Sequence, residues 1–245
     1  MRASGWSLAL SAGMVCLVCA QDAVTTLPQS YSRQFENEWV RIVRVHYAPN
    51  AKLPAHTHTE LATAYVYLND SGPVVFRHVG AEYGAVTRPA TKAGGFRLYR
   101  GLEELHEVEN TSALPSDFLR VEFKTEPWEP RTLRGKFFRE PYTAGENVEK
   151  VQFENVQVRI TRVVVAPGQS VELSTTPVEP AVLIALTPAS LEGVQGTHAP
   201  TATTLTIGKE RWVGPGQRER IRNVGATPAE LLRFDFKTPP LRPGA

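Results

Sequence analysis

The chain has 245 residues, 27 of them basic and 25 acidic, for a formal net charge of +2 with the two signs mixed along its length. With no basic run and no interleaving of basic and aromatic residues, this balance argues against a nucleic-acid partner. The only cysteines, Cys16 and Cys19, lie in the first twenty residues. Without that segment there is no disulfide framework and no thiolate metal site, so a metal would be held by histidine, carboxylate or water.

Residues 1–20 read as a signal peptide: Arg2, then a mostly apolar run, then Val18-Cys19-Ala20 before Gln21. Val18 at −3 and the small Ala20 at −1 suit cleavage after Ala20. The run is short and broken by serine and glycine, which disfavours an anchor helix. Lipid modification at Cys19 is disfavoured by the bulky Val18 before it. The mature protein is expected to be secreted or periplasmic, with no stable membrane span.

Beyond the leader, short alternating runs predict strands: "VRIVRVHYA" (40–48), "ATAYVYL" (62–68), "VVFRHV" (74–79), "FRLYRG" (96–101) and "DFLRVEFKT" (117–125). The stretches between them, "APNAK", "NDSGP", "KAGG" and "NTSALPSD", have turn chemistry. No stretch keeps a helical period for three turns. Many short strands at close spacing imply an all-β sandwich or barrel.

The chain then repeats itself. "FENEWVRIVRVHYAP" (35–49) returns as "FENVQVRITRVVVAP" (153–167) with ten identities in fifteen. "NTSALPSDFLRVEFKTEP" (110–127) returns as "NVGATPAELLRFDFKTPP" (223–240) with nine in eighteen. The offsets, 118 and 113, fall in the same order, so the chain is read as a tandem duplication. Unit one is placed at 30–127, a proline- and charge-rich linker at 128–148, and unit two at 149–240.

His56 and His58 lie one residue apart in "LPAHTHTELATAYVYL" (53–68). In a strand, such residues share a face with Cα atoms about 6–7 Å apart, a spacing that suits two ligands on one ion. Pro54 is expected to start that strand. Some fifty residues on, "YRGLEELHEVENTS" supplies His106 and Asn110. P-x-H-x-H, a gap, then H-x-x-x-N resembles the cupin superfamily, whose units are small jelly-roll β-barrels and which includes duplicated bicupins. The resemblance covers both units as architecture and unit one alone as motif. It implies two tandem jelly-roll barrels, with His56, His58 and His106 as metal ligands pointing into the first and Asn110 holding the following turn. The motif glutamate is replaced by Ala62 or Thr63, and Gly101 and Glu103 stand where proline and glycine are usual.

At the repeat's offsets His56 aligns with Ser174, His58 with Thr176 and His106 with Glu219, while Asn110 persists as Asn223. The ligand residues are thus missing from unit two while the fold signals remain. The implied cofactor is a divalent ion (Fe, Mn, Ni, Cu or Zn), and imidazole alone does not choose among them.

Secondary candidates are Glu60 and Glu104 as acid or base groups, and Tyr65, Tyr67 and His78 as pocket residues. His46 is read as a packed strand residue, and His198 as a loop residue without a visible partner. Two readings stay open. One is a metal-dependent enzyme, dioxygenase- or isomerase-like, on a small oxygenated substrate. The other is non-catalytic: a metal or small-ligand binder with unit two as scaffold or interaction surface, or a chain in which both units are relics used for interaction. A homodimer is compatible with either.

Overall fold

The computed structural model describes residues 22–80, 84–102, 105–127, 129–143, 145–194 and 199–242. The leader, Glu103, Glu104 and His198 lie outside the described residues. Among the described residues no helix is long and apolar enough to cross a membrane.

After a four-residue helix, Ala23–Thr26, the chain is almost wholly β. The first ten strands are β1 (Tyr31–Glu36), β2 (Val40–Tyr47), β3 (Lys52–His56), β4 (Thr63–Tyr67), β5 (Val74–His78), β6 (Ala85–Arg88), β7 (Phe96–Tyr99), β8 (His106–Asn110), β9 (Ser116–Phe123) and β10 (Gly135–Phe137). The next nine are β11 (Val148–Glu154), β12 (Val158–Val165), β13 (Ser170–Ser174), β14 (Ala181–Ala185), β15 (Ala189–Val194), β16 (Thr201–Leu205), β17 (Glu210–Val213), β18 (Arg218–Asn223) and β19 (Ala229–Phe236). The alternating runs of the sequence form β2, β4, β5, β7 and β9.

Unit one has two sheets, ordered β1-β2-β9-β4-β7-β10 and β3-β8-β5-β6. Unit two repeats the order as β11-β12-β19-β14-β17 and β13-β18-β15-β16. Both are antiparallel double-sheet jelly rolls. β10 has no partner in the repeat. It comes from the segment expected as linker and extends the sheet of unit one along β7.

Three apolar cores follow from the alternation of side chains. Outward residues of the larger sheets, including Ile42, Val66, Val121 and Phe123 of unit one with Ile160, Ile184, Phe234 and Phe236 of unit two, form one shared core. The barrels are therefore packed sheet against sheet. Inside unit two lies a purely aliphatic core, with Val163, Leu173, Leu183 and Ile221 among its members. The interior of unit one is built differently, around Tyr31, Tyr47, Tyr65, Phe76 and Phe118.

Candidate metal centre

In unit two, β13 pairs with β18 without interruption, so that Val171 and Leu173 face inward and Ser174 is exposed. In unit one the register of β3 against β8 shifts between Leu53 and His56. Leu53 is buried, Pro54 and Ala55 are both exposed, and His56 is buried opposite His106. The extra residue is a β-bulge, which re-aims the side chain after it. Without it, position 56 would point outward as Ser174 does. Pro54 therefore lies inside the strand rather than at its start, at a bulge, where its missing N–H breaks no ladder bond. The counterpart of His56 by pairing is Leu173, not the Ser174 given by sequence offset.

His58 lies just past the end of β3, so it reaches the site from the following segment and not as a strand residue. That segment is held close by Gly101, which has φ +77° and whose added Cβ would fall 2.1 Å from the carbonyl of Glu60. Only glycine fits there without displacing the segment.

The ligand atoms of His56, His58 and His106 lie within 4.8 Å of one another. Their ring centroids are 4.9 Å (His56–His58), 4.9 Å (His56–His106) and 5.2 Å (His58–His106) apart. His56 Nδ1 donates to the carbonyl of Pro54 at 2.8 Å, since a carbonyl can only accept. Its Nε2 therefore keeps a lone pair, and the Tyr31 hydroxyl lies 2.8 Å away and donates to it. The Tyr47 hydroxyl in turn donates to Tyr31 at 2.7 Å. Burial pushes both phenols up, Tyr47 to about 12, so both keep their protons. Burial pulls His56 down to about 4, against the opposing hydrogen bond to Pro54. Burial and then the Arg120 charge hold His58 well below the usual imidazole range.

These observations fit a divalent ion. His56 and His106 are buried and His58 is half-buried. Neutral imidazoles so placed have ring nitrogens close enough together to meet one ion at Zn–N-type distances of about 2.0–2.1 Å after ring rotations. Tyr31 would then yield His56 Nε2 or stand beside the ion. No motif in the sequence marks Tyr31, and its repeat counterpart by register is Glu149, so sequence reasoning misses it.

Other candidates divide. His78 is half-buried and lies opposite His106 on β5, with ring centroids 5.6 Å apart and Nδ1 3.2 Å from the Gly84 carbonyl. Tyr65 and Tyr67 pack inside the barrel. Glu60 is exposed and lines a cavity at the boundary between units that contains none of the three histidines. His46 is not packed; it faces solvent and meets Asp117 at 2.7 Å. Asn110 is fully buried and its Nδ2 donates to Ala48 and Leu114 carbonyls at 2.9 Å, fixing the turn as expected. Asn223 does the same for Val165 and Thr227 at 2.8 Å.

No protein-family model matches the chain. No curated protein matches it by sequence either. Solved structures do match by fold. An oxalate decarboxylase of Lactobacillus farciminis, solved as its formate complex, aligns with TM-score 0.55 at 14% identity over 88% of this chain and 80% of its own. A cupin 2 conserved barrel domain protein of Leptotrichia buccalis aligns with TM-score 0.52 at 12% identity, over 84% and 88%. A point mutant of the salicylate 1,2-dioxygenase of Pseudoaminobacter salicylatoxidans aligns with TM-score 0.53 at 14% identity, over 82% and 71%. The fold is a cupin fold, present twice. At these identities the likeness concerns the barrels alone. Within this duplicated fold, the histidine cluster belongs to the first barrel, and the second has Leu173 and Glu219 paired at the register of His56 and His106.

Proposed function

We propose that the first cupin is a mononuclear metal centre in which His56, His58 and His106 hold a divalent ion, and that this centre acts on a small oxygenated substrate. One observation carries the reading: three imidazoles, two buried and one half-buried, converge in one barrel and are absent from its duplicate. An ion held there by three ligands keeps open positions and supplies Lewis acidity, or dioxygen binding if it is iron. The tyrosine hydroxyls of the chain would orient a ligand beside it, and the aromatic walls would exclude water. The matched structures named as an oxalate decarboxylase and a salicylate dioxygenase make a small-molecule reaction a reasonable class.

A non-catalytic binder, with unit two as scaffold, has one observation in its favour. Among the described residues the one buried carboxylate of unit one, Glu122, is already engaged by Arg120 at 2.9 Å and faces Arg41 at 3.6 Å. Among the described residues of unit one, that leaves no buried carboxylate free of an arginine for proton transfer.

The test is metal analysis by mass spectrometry on protein purified without a histidine tag, beside the His56→Ala/His106→Ala variant. Near-stoichiometric metal, lost in a variant that stays folded, supports the centre. Absence of metal after reconstitution with each of Fe, Mn, Ni, Cu and Zn overturns it. Export is part of the proposal, and an intact mass beginning at Gln21 in protein recovered from outside the cytoplasm supports it.

A further inference from the structure

Three guanidinium groups surround the Tyr65 ring: Arg88 at 4.9 Å, Arg97 at 5.2 Å and Arg120 at 5.3 Å from its centroid. Arg88 also lies over Phe76 at 3.9 Å. Arg120 is accounted for by the fold. It bonds Glu122 two residues on, and unit two repeats the pair as Arg233 and Asp235 at 2.8 Å and at the same register. The other two differ. Among the described residues, no salt bridge or hydrogen bond joins Arg88 or Arg97 to a carboxylate, although each is only partly exposed. Burial and the nearby Arg88 charge pull Arg97 below the usual guanidinium range.

Unit two shows what is missing. Arg97 pairs with Tyr65 as Arg211 pairs with Leu183, so the two arginines are counterparts. Arg211 is ion-paired with Glu219, which is buried and is the counterpart of His106. In unit one that position is a histidine, and the arginine is left without a carboxylate. Arg88 has no counterpart cation, since Thr203 stands at its register.

Both arginines border empty space. A cleft is lined by Arg88, Arg97, Lys136, Tyr67 and Phe137, among others, and among the described residues by no acidic one. It shares Tyr67, Arg88, Pro89 and Thr91 with a narrower inner space that reaches Tyr47 and Tyr65. Tyr65 also lines a smaller space beside His58. Tyr65 thus borders both the inner space and the space beside His58.

We propose that this mouth binds a small organic carboxylate, its carboxylate bridging Arg88 and Arg97 as Glu219 engages Arg211, and its apolar body lying against Tyr67 and Phe137. Guanidinium forks match carboxylates bidentately, and the aromatic lining selects an organic body over a bare ion. The proposal names a substrate class for the metal centre proposed above and rests on that reading for its role. The anion site itself needs no metal.

Calorimetric titration of metal-free protein with benzoate, benzamide, succinate and inorganic phosphate, at fixed ionic strength, tests it. Benzoate or succinate should bind, and neutral benzamide should not. Arg88→Gln/Arg97→Gln should weaken the carboxylate at least tenfold while leaving metal content unchanged. The His56→Ala/His106→Ala protein should still bind it, so failure of the metal reading would not hide this result. Binding of phosphate alone, equal binding of benzamide, or unchanged affinity in the arginine variant would overturn the proposal.

Discussion

Across the register that β4 and β14 share, unit one places Tyr65 and Tyr67 where unit two has Leu183 and Ala185. The same exchange recurs around the barrel: Tyr47 against Val165, Tyr99 against Val213 and Phe118 against Leu231. One interior is closed with aliphatic side chains at full burial; the other keeps phenols, imidazoles and cavities. Both are supported by the same sheet order, the same buried asparagine and the same arginine–acid pair on the last strand. The frame of these barrels therefore does not require a polar interior. What unit one adds is a departure from the simplest way to fill a barrel, concentrated at the histidines.

The comparison can be broken at His56. His56→Leu imports the residue that unit two has at that register, Leu173, and removes one candidate ligand. Metal affinity should fall at least a thousandfold, about 4 kcal/mol, with strand content by circular dichroism retained. Retention of metal would show that His56 is not a ligand. The interiors can be compared directly by urea denaturation. Leu183→Ala, in the packed barrel, should cost about 2–5 kcal/mol. Tyr65→Leu, which imports the residue of unit two into unit one, should cost about 1 kcal/mol, because an aliphatic side chain of similar reach suits that frame. Equal costs would mean that the interior of unit one is as tightly specified for stability as that of unit two.

A third contrast is with pH. His56 titrates at about 4 when folded and near 6.5 when unfolded, so its folded form resists protonation. Its share of stability is complete above about pH 6.5 and is lost as pH falls towards 4, in the window where only the unfolded chain takes the proton. In metal-free protein this amounts to about 2–3 kcal/mol, and His58 acts in the same direction. Replacing His56 and His58 with glutamine should flatten that window in urea midpoints measured at pH 7 and 4.5. The surface carboxylate of Glu154, held down to about 2 by Arg159 and Lys237, loses its share only below the usual carboxylate range, so the two effects separate.

The periodic parts of the molecule are legible in the sequence. Alternation marks five strands, the repeat marks two barrels, and spacing together with a family resemblance singles out His56, His58 and His106. Asn110 is placed correctly in its turn because its partners are the local carbonyls of one loop. What escapes are features of register. The bulge adds one residue to a run that reads like any other strand, and it changes which face His56 occupies. His78 meets His106 only because β5 and β8 are neighbours, and Tyr31 meets His56 across twenty-five residues. His46 reads as packed because it sits amid valines, whereas alternation turns it to solvent beside Asp117. β10 carries too short a pattern to be distinguished from linker.

X-ray absorption at the edge of the ion bound to reconstituted protein tests the central claim most directly. The account predicts multiple scattering from three imidazoles, lost in the His56→Ala/His106→Ala variant. A spectrum with one imidazole or none, or one unchanged in the variant, would place the ion elsewhere and contradict the assignment of the first barrel as the metal centre.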